Sequence, residues 1–157
     1  MSTYRMGERA TVGPLIYNVL DAQWLTELGS GVSPRVPANR FFVVRLSVVN
    51  SGQAESVVPP VSIEDENARS YTELMDGNSV PQWLGYLRRV KPAENLVGNI
   101  VFDVPPHEYK LRLQDEVGAN QALVEVPLSF RPDIPQIVKT PEFQVKQGSP
   151  KAEDLKK

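Results

Sequence analysis

Residues 39–52, NRFFVVRLSVVNSG, form the most apolar run in the chain, and they decide the fold. Side chains alternate between the two faces of a strand, so the run has two faces of different composition. The first face is wholly apolar and comprises Phe42, Val44, Leu46 and Val48. The second face is also largely apolar and is interrupted only by Arg45 and Ser47. We therefore predict a central strand whose first face fills the core between two sheets. Its second face needs a separate cover, for which the C-terminal tail is a candidate.

The composition is that of one ordinary globular domain. The 157 residues are 41% hydrophobic and 23% charged, and a formal net charge of −2 provides no attraction to nucleic acid. The 14 prolines interrupt the apolar runs, which favours short strands over long helices. The chain has no cysteine, and no run of about 18 apolar residues that could span a membrane. It also lacks a signal peptide, so it is either cytoplasmic or has lost its signal.

Alternating apolar residues predict further strands on both sides of the central one. Residues 15–28 predict a long or bent strand with Ile16, Leu20, Ala22 and Trp24 on one face, although a helix fits in part. Further strands are predicted within 57–74, as a hairpin turning near residues 66 and 67, and at 100–104, 109–114 and 122–130. Pro127 cannot donate a ladder hydrogen bond, so we place it at an edge or bulge. Residues 80–84 fit a short helix and an irregular loop equally well. Together these elements predict an antiparallel β-sandwich of about seven to nine strands.

We divide the chain into three parts. Residues 1–10 are predicted to be a flexible N-terminal segment, and residues 11–130 are predicted to form the β-sandwich domain. Residues 131–157 are rich in proline and charge, and we expect the end of this tail to be disordered.

The order of the motifs resembles the DUF4352 family of bacterial immunoglobulin-like domains. The matching stretches are NRFFVVRLSVVNSGQAESVVPP, VSIEDENARSYTEL, VKPAENLVGNIVFDVP and YKLRLQD, within residues 11–130. Two turns depart from the family pattern, because Ala93 replaces the usual glycine and residues 67–69 replace a hairpin glycine. The resemblance implies an immunoglobulin-like fold, as in a secreted mycobacterial antigen. It also implies an extracytoplasmic location in the periplasm or cell envelope, with the signal absent here and a lipid anchor as one alternative. The family brings no established catalytic residues.

Few residues suggest catalysis or metal binding. His107 is the only histidine and lies between Pro106 and Glu108, where we expect it to be exposed in a loop. No G-x-S-x-G motif accompanies it, so a serine hydrolase is disfavoured. A set of acidic residues surrounds the predicted hairpin and comprises Glu64, Asp65, Glu66, Glu73 and Asp76. We interpret this set as a solvated strand edge rather than a calcium site, because it lacks the ligand spacing of a calcium-binding loop. No metal, cofactor or catalytic residue is predicted.

One segment is a candidate for partner binding. It combines aromatic, apolar and basic side chains outside the clear strands, namely Trp83, Leu84, Tyr86, Arg88 and Arg89. These residues either cap the open end of the sandwich or form a recognition surface, since aromatic residues and arginine dominate binding energy at interfaces. We expect a non-catalytic interaction or ligand-binding module whose partner is an unknown protein or small ligand. The alternative is a hydrolase that uses surface carboxylates in a cleft.

Tyr109 is predicted to have a structural role. It begins a strand directly after the Pro105-Pro106 corner, a position similar to that of the tyrosine corner in immunoglobulin-like folds. We expect its hydroxyl group to donate a hydrogen bond to the backbone upstream.

Overall fold

A computed structural model describes residues 1–29 and 33–128 of the chain. The described residues contain strands and no helix, so none of them forms a helix long and apolar enough to cross a membrane. In chain order the strands are β1 (Ser2–Arg5), β2 (Arg9–Val12), β3 (Leu15–Leu25), β4 (Phe41–Asn50), β5 (Ser56–Val58), β6 (Ser62–Glu64), β7 (Ser70–Thr72), β8 (Arg88–Val90), β9 (Asn95–Asp103), β10 (Tyr109–Gln114) and β11 (Gln121–Val126).

The strands form two packed sheets and a short ribbon. A five-stranded sheet has the order β1-β11-β10-β6-β7, and a four-stranded sheet has the order β2-β3-β4-β9. Strands β5 and β8 pair with each other as a separate two-stranded ribbon. Within residues 1–29 and 33–128, all strand pairs are antiparallel except that of β1 with β11. The predicted antiparallel β-sandwich is therefore confirmed.

Strand β4 is central, as residues 39–52 predict. It pairs with β3 on one side and with β9 on the other. Its first face lies in the main core, where Phe42 and Val44 are at most 1% exposed. On its second face, Phe41 and Val43 are buried in a smaller apolar cluster with Leu28, Val80 and Val101. Leu28 precedes β4 in the chain and Val80 follows it, so loops before and after the strand cover this part of its second face. The tail predicted to cover it lies outside the described residues.

Strand β3 contains a bulge, so the prediction of which side chains face the core is wrong for part of the strand. Val19 is opposite Leu46 and Asp21 is opposite Arg45, so Leu20 is an extra residue with no partner in the ladder. A bulge of this kind reverses the side-chain alternation beyond it. Leu15, Tyr17 and Val19 therefore face the core before the bulge, and Ala22 and Trp24 pack against it afterwards. Ile16 and Leu20, which the sequence places on the buried face, are half-buried and exposed respectively.

The N-terminal segment does not match the expectation that residues 1–10 are flexible. They contain β1 and the start of β2, and β1 extends the five-stranded sheet by pairing with β11. Tyr4 and Met6 pack against the main core, which holds the segment in place. The sequence does not indicate this strand, because positions 2, 3, 5, 8 and 9 are polar. Such polarity is expected of an edge strand that has one face exposed to solvent.

Tyr109 forms the predicted corner. Its ring is buried, and its hydroxyl group donates a hydrogen bond to the carbonyl oxygen of Pro105, 2.5 Å away. Burial, with a smaller effect of nearby Tyr71, raises the pKa of Tyr109 to about 12. The hydroxyl group therefore stays protonated and able to donate at physiological pH. The bond fixes the turn between β9 and β10.

Two short segments settle alternatives that the sequence leaves open. Residues 80–84 form an irregular loop rather than a helix, and Ser79 and Gln82 have positive φ angles of 73° and 52°. Strand β11 ends at Val126, so Pro127 directly follows the strand instead of interrupting it. The part of the predicted strand beyond residue 128 lies outside the described residues.

The two turns that lack the expected glycine adopt glycine-like conformations. Ala93 has φ 66° and Ala68 has φ 64°, in the left-handed region that disfavours side chains with a Cβ atom. The strain of such a conformation is about 1–2 kcal/mol. Both alanines lie in tight turns, where Ala93 N–H donates to Asn50 and Ala68 N–H donates to Asp65. The geometry of these turns therefore still favours glycine.

Ala93→Gly is expected to raise the free energy of unfolding by about 0.5–1 kcal/mol, because relief of strain exceeds the entropy that glycine adds to the unfolded chain. Urea unfolding measures the change. The matched control is Ala119→Gly, since Ala119 is exposed in a turn without a positive φ angle. The control should lower stability slightly, and a destabilising Ala93→Gly would contradict the assignment of strain.

Candidate functional site

Residues 81–84 lie along the open edge of β9. The backbone N–H of Leu84 donates to the carbonyl oxygen of Asn99 at 3.0 Å, and the N–H of Asn99 donates to Gln82 at 2.9 Å. The side-chain amide of Asn99 also donates to the carbonyl oxygen of Pro81 at 2.7 Å. These bonds make the segment a short parallel addition to the four-stranded sheet. The candidate segment is thereby fixed to the framework.

Trp83 is packed inward. It is half-buried against the small cluster that covers the second face of β4. Its indole ring lies over Gly77 so closely that a Cβ atom at Gly77 would be 2.2 Å from the ring. Only glycine permits this approach, which explains why residue 77 lacks a side chain. The position of Trp83 supports the interpretation that it caps this end of the sandwich.

Leu84 packs against Gly98 of β9 in the same way as Trp83 packs against Gly77. It contacts the main core, and a Cβ atom at Gly98 would be 2.9 Å from its Cγ. A Cβ at Gly98 would also lie 2.6 Å from the carbonyl oxygen of Gln82. Gly98 therefore makes room both for the backbone of the segment and for Leu84.

Arg88 is buried, which corrects its selection as a candidate for partner binding. Its guanidinium group makes two bonds to the carboxylate of Glu73, at 2.9 and 2.8 Å, and the two side chains are only 2% and 0% exposed. The guanidinium group also donates to the carbonyl oxygens of Gly85 and Pro59, at 2.7 and 3.0 Å. Glu73 in turn accepts the backbone N–H of Val61 at 2.7 Å. Arg88 therefore connects three chain segments and is not available to a partner.

The residues that do face solvent adjoin this buried pair in the chain. Met75 is 70% exposed two residues after Glu73, and Leu87 is 85% exposed directly before Arg88. Arg89 is exposed, and Tyr86 is half-buried. We call these four residues the 75–89 surface. Of the residues predicted for partner binding, Tyr86 and Arg89 belong to it, whereas Trp83, Leu84 and Arg88 support it from inside.

The alternation of residues 87–90 contains a signal for this division. Arg88 and Val90 share one face of a short strand, and Arg89 lies on the other face. Leu87 directly precedes the strand. Since Val90 is a core residue, Arg88 must also point inward. No sequence pattern indicates that Glu73 is its partner.

A second feature is a groove of about 760 Å³ at the end of the sandwich where β6, β10 and β11 meet the N-terminal strand. Its lining includes acidic, basic and apolar residues, namely Arg5, Met6, Glu64, Asp65, Glu66, Ala68, Glu108, Tyr109, Lys110, Glu125, Val126 and Pro127. Five of these are carboxylates and two are cations. The groove is therefore acidic.

The acidic set predicted around the hairpin is divided by the fold. Glu64 forms an ion pair with Arg112 at 2.7 Å, Glu73 is buried with Arg88, and Asp76 accepts the backbone N–H of Asn78. Asp65 and Glu66 remain together beside the groove, where His107 joins them. Potential ligand atoms of these last three residues lie within 4.8 Å of one another. His107 is thus half-buried beside two carboxylates instead of being an isolated loop residue.

The pKa of Asp65 is shifted in the direction opposite to that of a general acid. Burial opposes ionisation, but the backbone N–H groups of Arg69 and Asn67 donate to its carboxylate, and the pKa of Asp65 is lowered overall. A hydrolase of the paired-carboxylate type needs one carboxylic acid that stays protonated near neutral pH. Asp65 therefore does not support the hydrolase alternative.

The sequence matches one known protein family. Residues 4–122 match the family described as Domain of unknown function (DUF4352). No curated protein matches the chain in sequence.

Several solved structures share the fold. The yjhA protein from Bacillus subtilis has a TM-score of 0.58 and 12% identity, with 79% of this chain and 99% of that chain covered. A putative lipoprotein, ycdA, from Bacillus subtilis has a TM-score of 0.56 and 14% identity, with 78% and 39% covered. The secreted protein MPT63 from Mycobacterium tuberculosis has a TM-score of 0.54 and 17% identity, with 79% and 96% covered. At these identities the similarity establishes the β-sandwich fold.

Proposed function

The chain belongs to the DUF4352 family of domains of unknown function. We propose that it is a non-catalytic interaction module that acts outside the cytoplasm. Its binding site in this proposal is the 75–89 surface. The partner is a protein segment that presents an apolar side chain beside a carboxylate.

The proposed location is supported by two structural neighbours. One is a putative lipoprotein and another is a secreted protein. The absence of cysteine is compatible with either compartment and does not weaken the proposal. Whether a longer form carries a lipid anchor stays a prediction.

The exposure of Leu87 and Met75 is the observation that carries the proposed site. Large apolar side chains that are 85% and 70% exposed lose unfavourable contact with water when a partner covers them. Arg89 and Lys91 are exposed nearby in the chain, and they favour an acidic partner by charge complementarity. The buried Glu73–Arg88 pair fixes the segments that carry these residues, which lowers the entropy cost of binding.

Site-specific photocrosslinking tests the proposal. A photoreactive amino acid at position 87 is expected to give a discrete adduct with a protein in native host cells, recovered from the envelope or the secreted fraction. The matched control is the same amino acid at Val117, which is 80% exposed in the turn between β10 and β11. Adducts at both positions, or at neither, would contradict the proposed site. Adducts found only in the cytosol would contradict the proposed location.

A further inference from the structure

We propose that Asp65, Glu66 and His107 form a binding site for a divalent transition-metal ion of the zinc class. Asp65 and Glu66 come from the turn between β6 and β7, whereas His107 comes from the turn between β9 and β10. Their potential ligand atoms lie within 4.8 Å of one another, and His107 Nδ1 is 3.1 Å from Glu66 Oε1. Zinc bonds to nitrogen and oxygen of about 2.0–2.2 Å place two ligand atoms roughly 3–4 Å apart. Small rotations of Glu66 and His107, which are 58% and 42% exposed, bring the three groups to that spacing.

The two turns are held in position by contacts other than those among the three proposed ligands. One oxygen of Asp65 accepts the backbone N–H groups of Asn67 and Arg69, both at 2.9 Å, and the other oxygen remains for a metal ion. The ring of His107 packs edge-on against Tyr109, with ring centres 6.1 Å apart. The hydroxyl bond from Tyr109 to Pro105 fixes the turn that carries His107. The ligands are therefore presented by a preformed framework.

The ligand types select the class of ion. One imidazole nitrogen with two carboxylates suits zinc and its neighbours, whereas calcium and magnesium prefer six or more oxygen ligands, or several bound waters. Three protein ligands leave at least one coordination position open. The adjacent groove of about 760 Å³ gives that position room for water or a further ligand.

The electrostatics of the groove also favour a cation. Besides Asp65 and Glu66, the lining contains Glu64, Glu108 and Glu125, of which Glu64 is paired with Arg112, and the lining cations are Arg5 and Lys110. A concave surface with an excess of one charge raises the local concentration of the opposite ion.

Zinc titration of the untagged, chelator-treated protein by calorimetry tests the site. One zinc ion per chain is expected to bind, and His107→Gln or Glu66→Gln should weaken binding at least about tenfold. The control is Glu55→Gln, which removes an exposed carboxylate outside the groove and should bind like the parent. The variants change partly exposed side chains, and their melting temperatures without zinc confirm that they are folded.

A second readout is independent of affinity. Because His107 is the only histidine, its imidazole proton signals in NMR are unambiguous. Zinc is expected to shift them. Absence of saturable binding, unchanged His107 signals, or parent-like affinity in His107→Gln would each overturn the proposal.

Discussion

Phe42→Ala is expected to lower the free energy of unfolding by about 3–5 kcal/mol, the cost of removing a large side chain from a core that cannot close the space. Phe42 is 1% exposed at the centre of an aromatic group. Its ring stacks on Trp24 with centres 4.4 Å apart, and it lies 6.0 Å from Phe102 and 6.1 Å from Tyr109. These contacts join β3, β4 and β9 in one sheet to β10 in the other, so their loss affects both layers.

Urea unfolding followed by tryptophan fluorescence measures this loss. The control is Val97→Ala, because Val97 lies on β9 in the same sheet but is 43% exposed. The control should cost less than about 1 kcal/mol. A similarly small cost for Phe42→Ala would contradict its placement in the core.

Glu73→Gln is expected to destabilise the protein by about 3–5 kcal/mol, because it leaves the Arg88 guanidinium group buried without an opposite charge. The amide oxygen of glutamine still offers an acceptor to the N–H of Val61, so the change chiefly removes charge. Arg88→Met should cost a similar amount, since it leaves the Glu73 carboxylate buried and unpaired. Chemical denaturation measures each variant.

The double variant Glu73→Gln with Arg88→Met separates the ion pair from the other contacts of each side chain. Neither charge remains buried, so the double change should cost at least about 2 kcal/mol less than the sum of the two single changes. Arg89→Met is the matched control, because Arg89 is the exposed neighbour on the same strand. Additive costs for the two single changes would show that no strong coupling exists between Glu73 and Arg88.

The sequence predicts the β-sandwich because alternation within β4 and β10 is regular and their turns carry glycine or proline. It also predicts the bond of Tyr109, since the residue follows a proline corner at the start of a strand. It does not reveal the bulge at Leu20, because Ile16, Leu20, Ala22 and Trp24 also form an apolar face in a strand without a bulge. The strand at residues 2–5 is missed for a related reason, since pairing with a distant strand stabilises a segment with few apolar residues.

The candidate site is less predictable than the fold. Glu73 and Arg88 are 15 positions apart and meet only because β7 and the β5–β8 ribbon are adjacent in space. The approach of His107 to Asp65 and Glu66 likewise depends on how two turns meet at one end of the sandwich. Sequence periodicity reports which side of a strand faces inward, but it carries no information on which turns converge.

In this account, residues 75–89 comprise a buried set that holds the segment and an exposed set that binds. One crosslinking measurement tests this division most directly. A photoreactive amino acid replaces Arg89, with and without the combined changes Met75→Ser and Leu87→Ser. We expect the combined changes to abolish the adduct in native host cells while the melting temperature stays within about 3 °C of the parent, since both side chains are exposed. Retention of the adduct at the parent yield would contradict binding through Met75 and Leu87. A large fall in melting temperature would contradict their placement outside the structural framework.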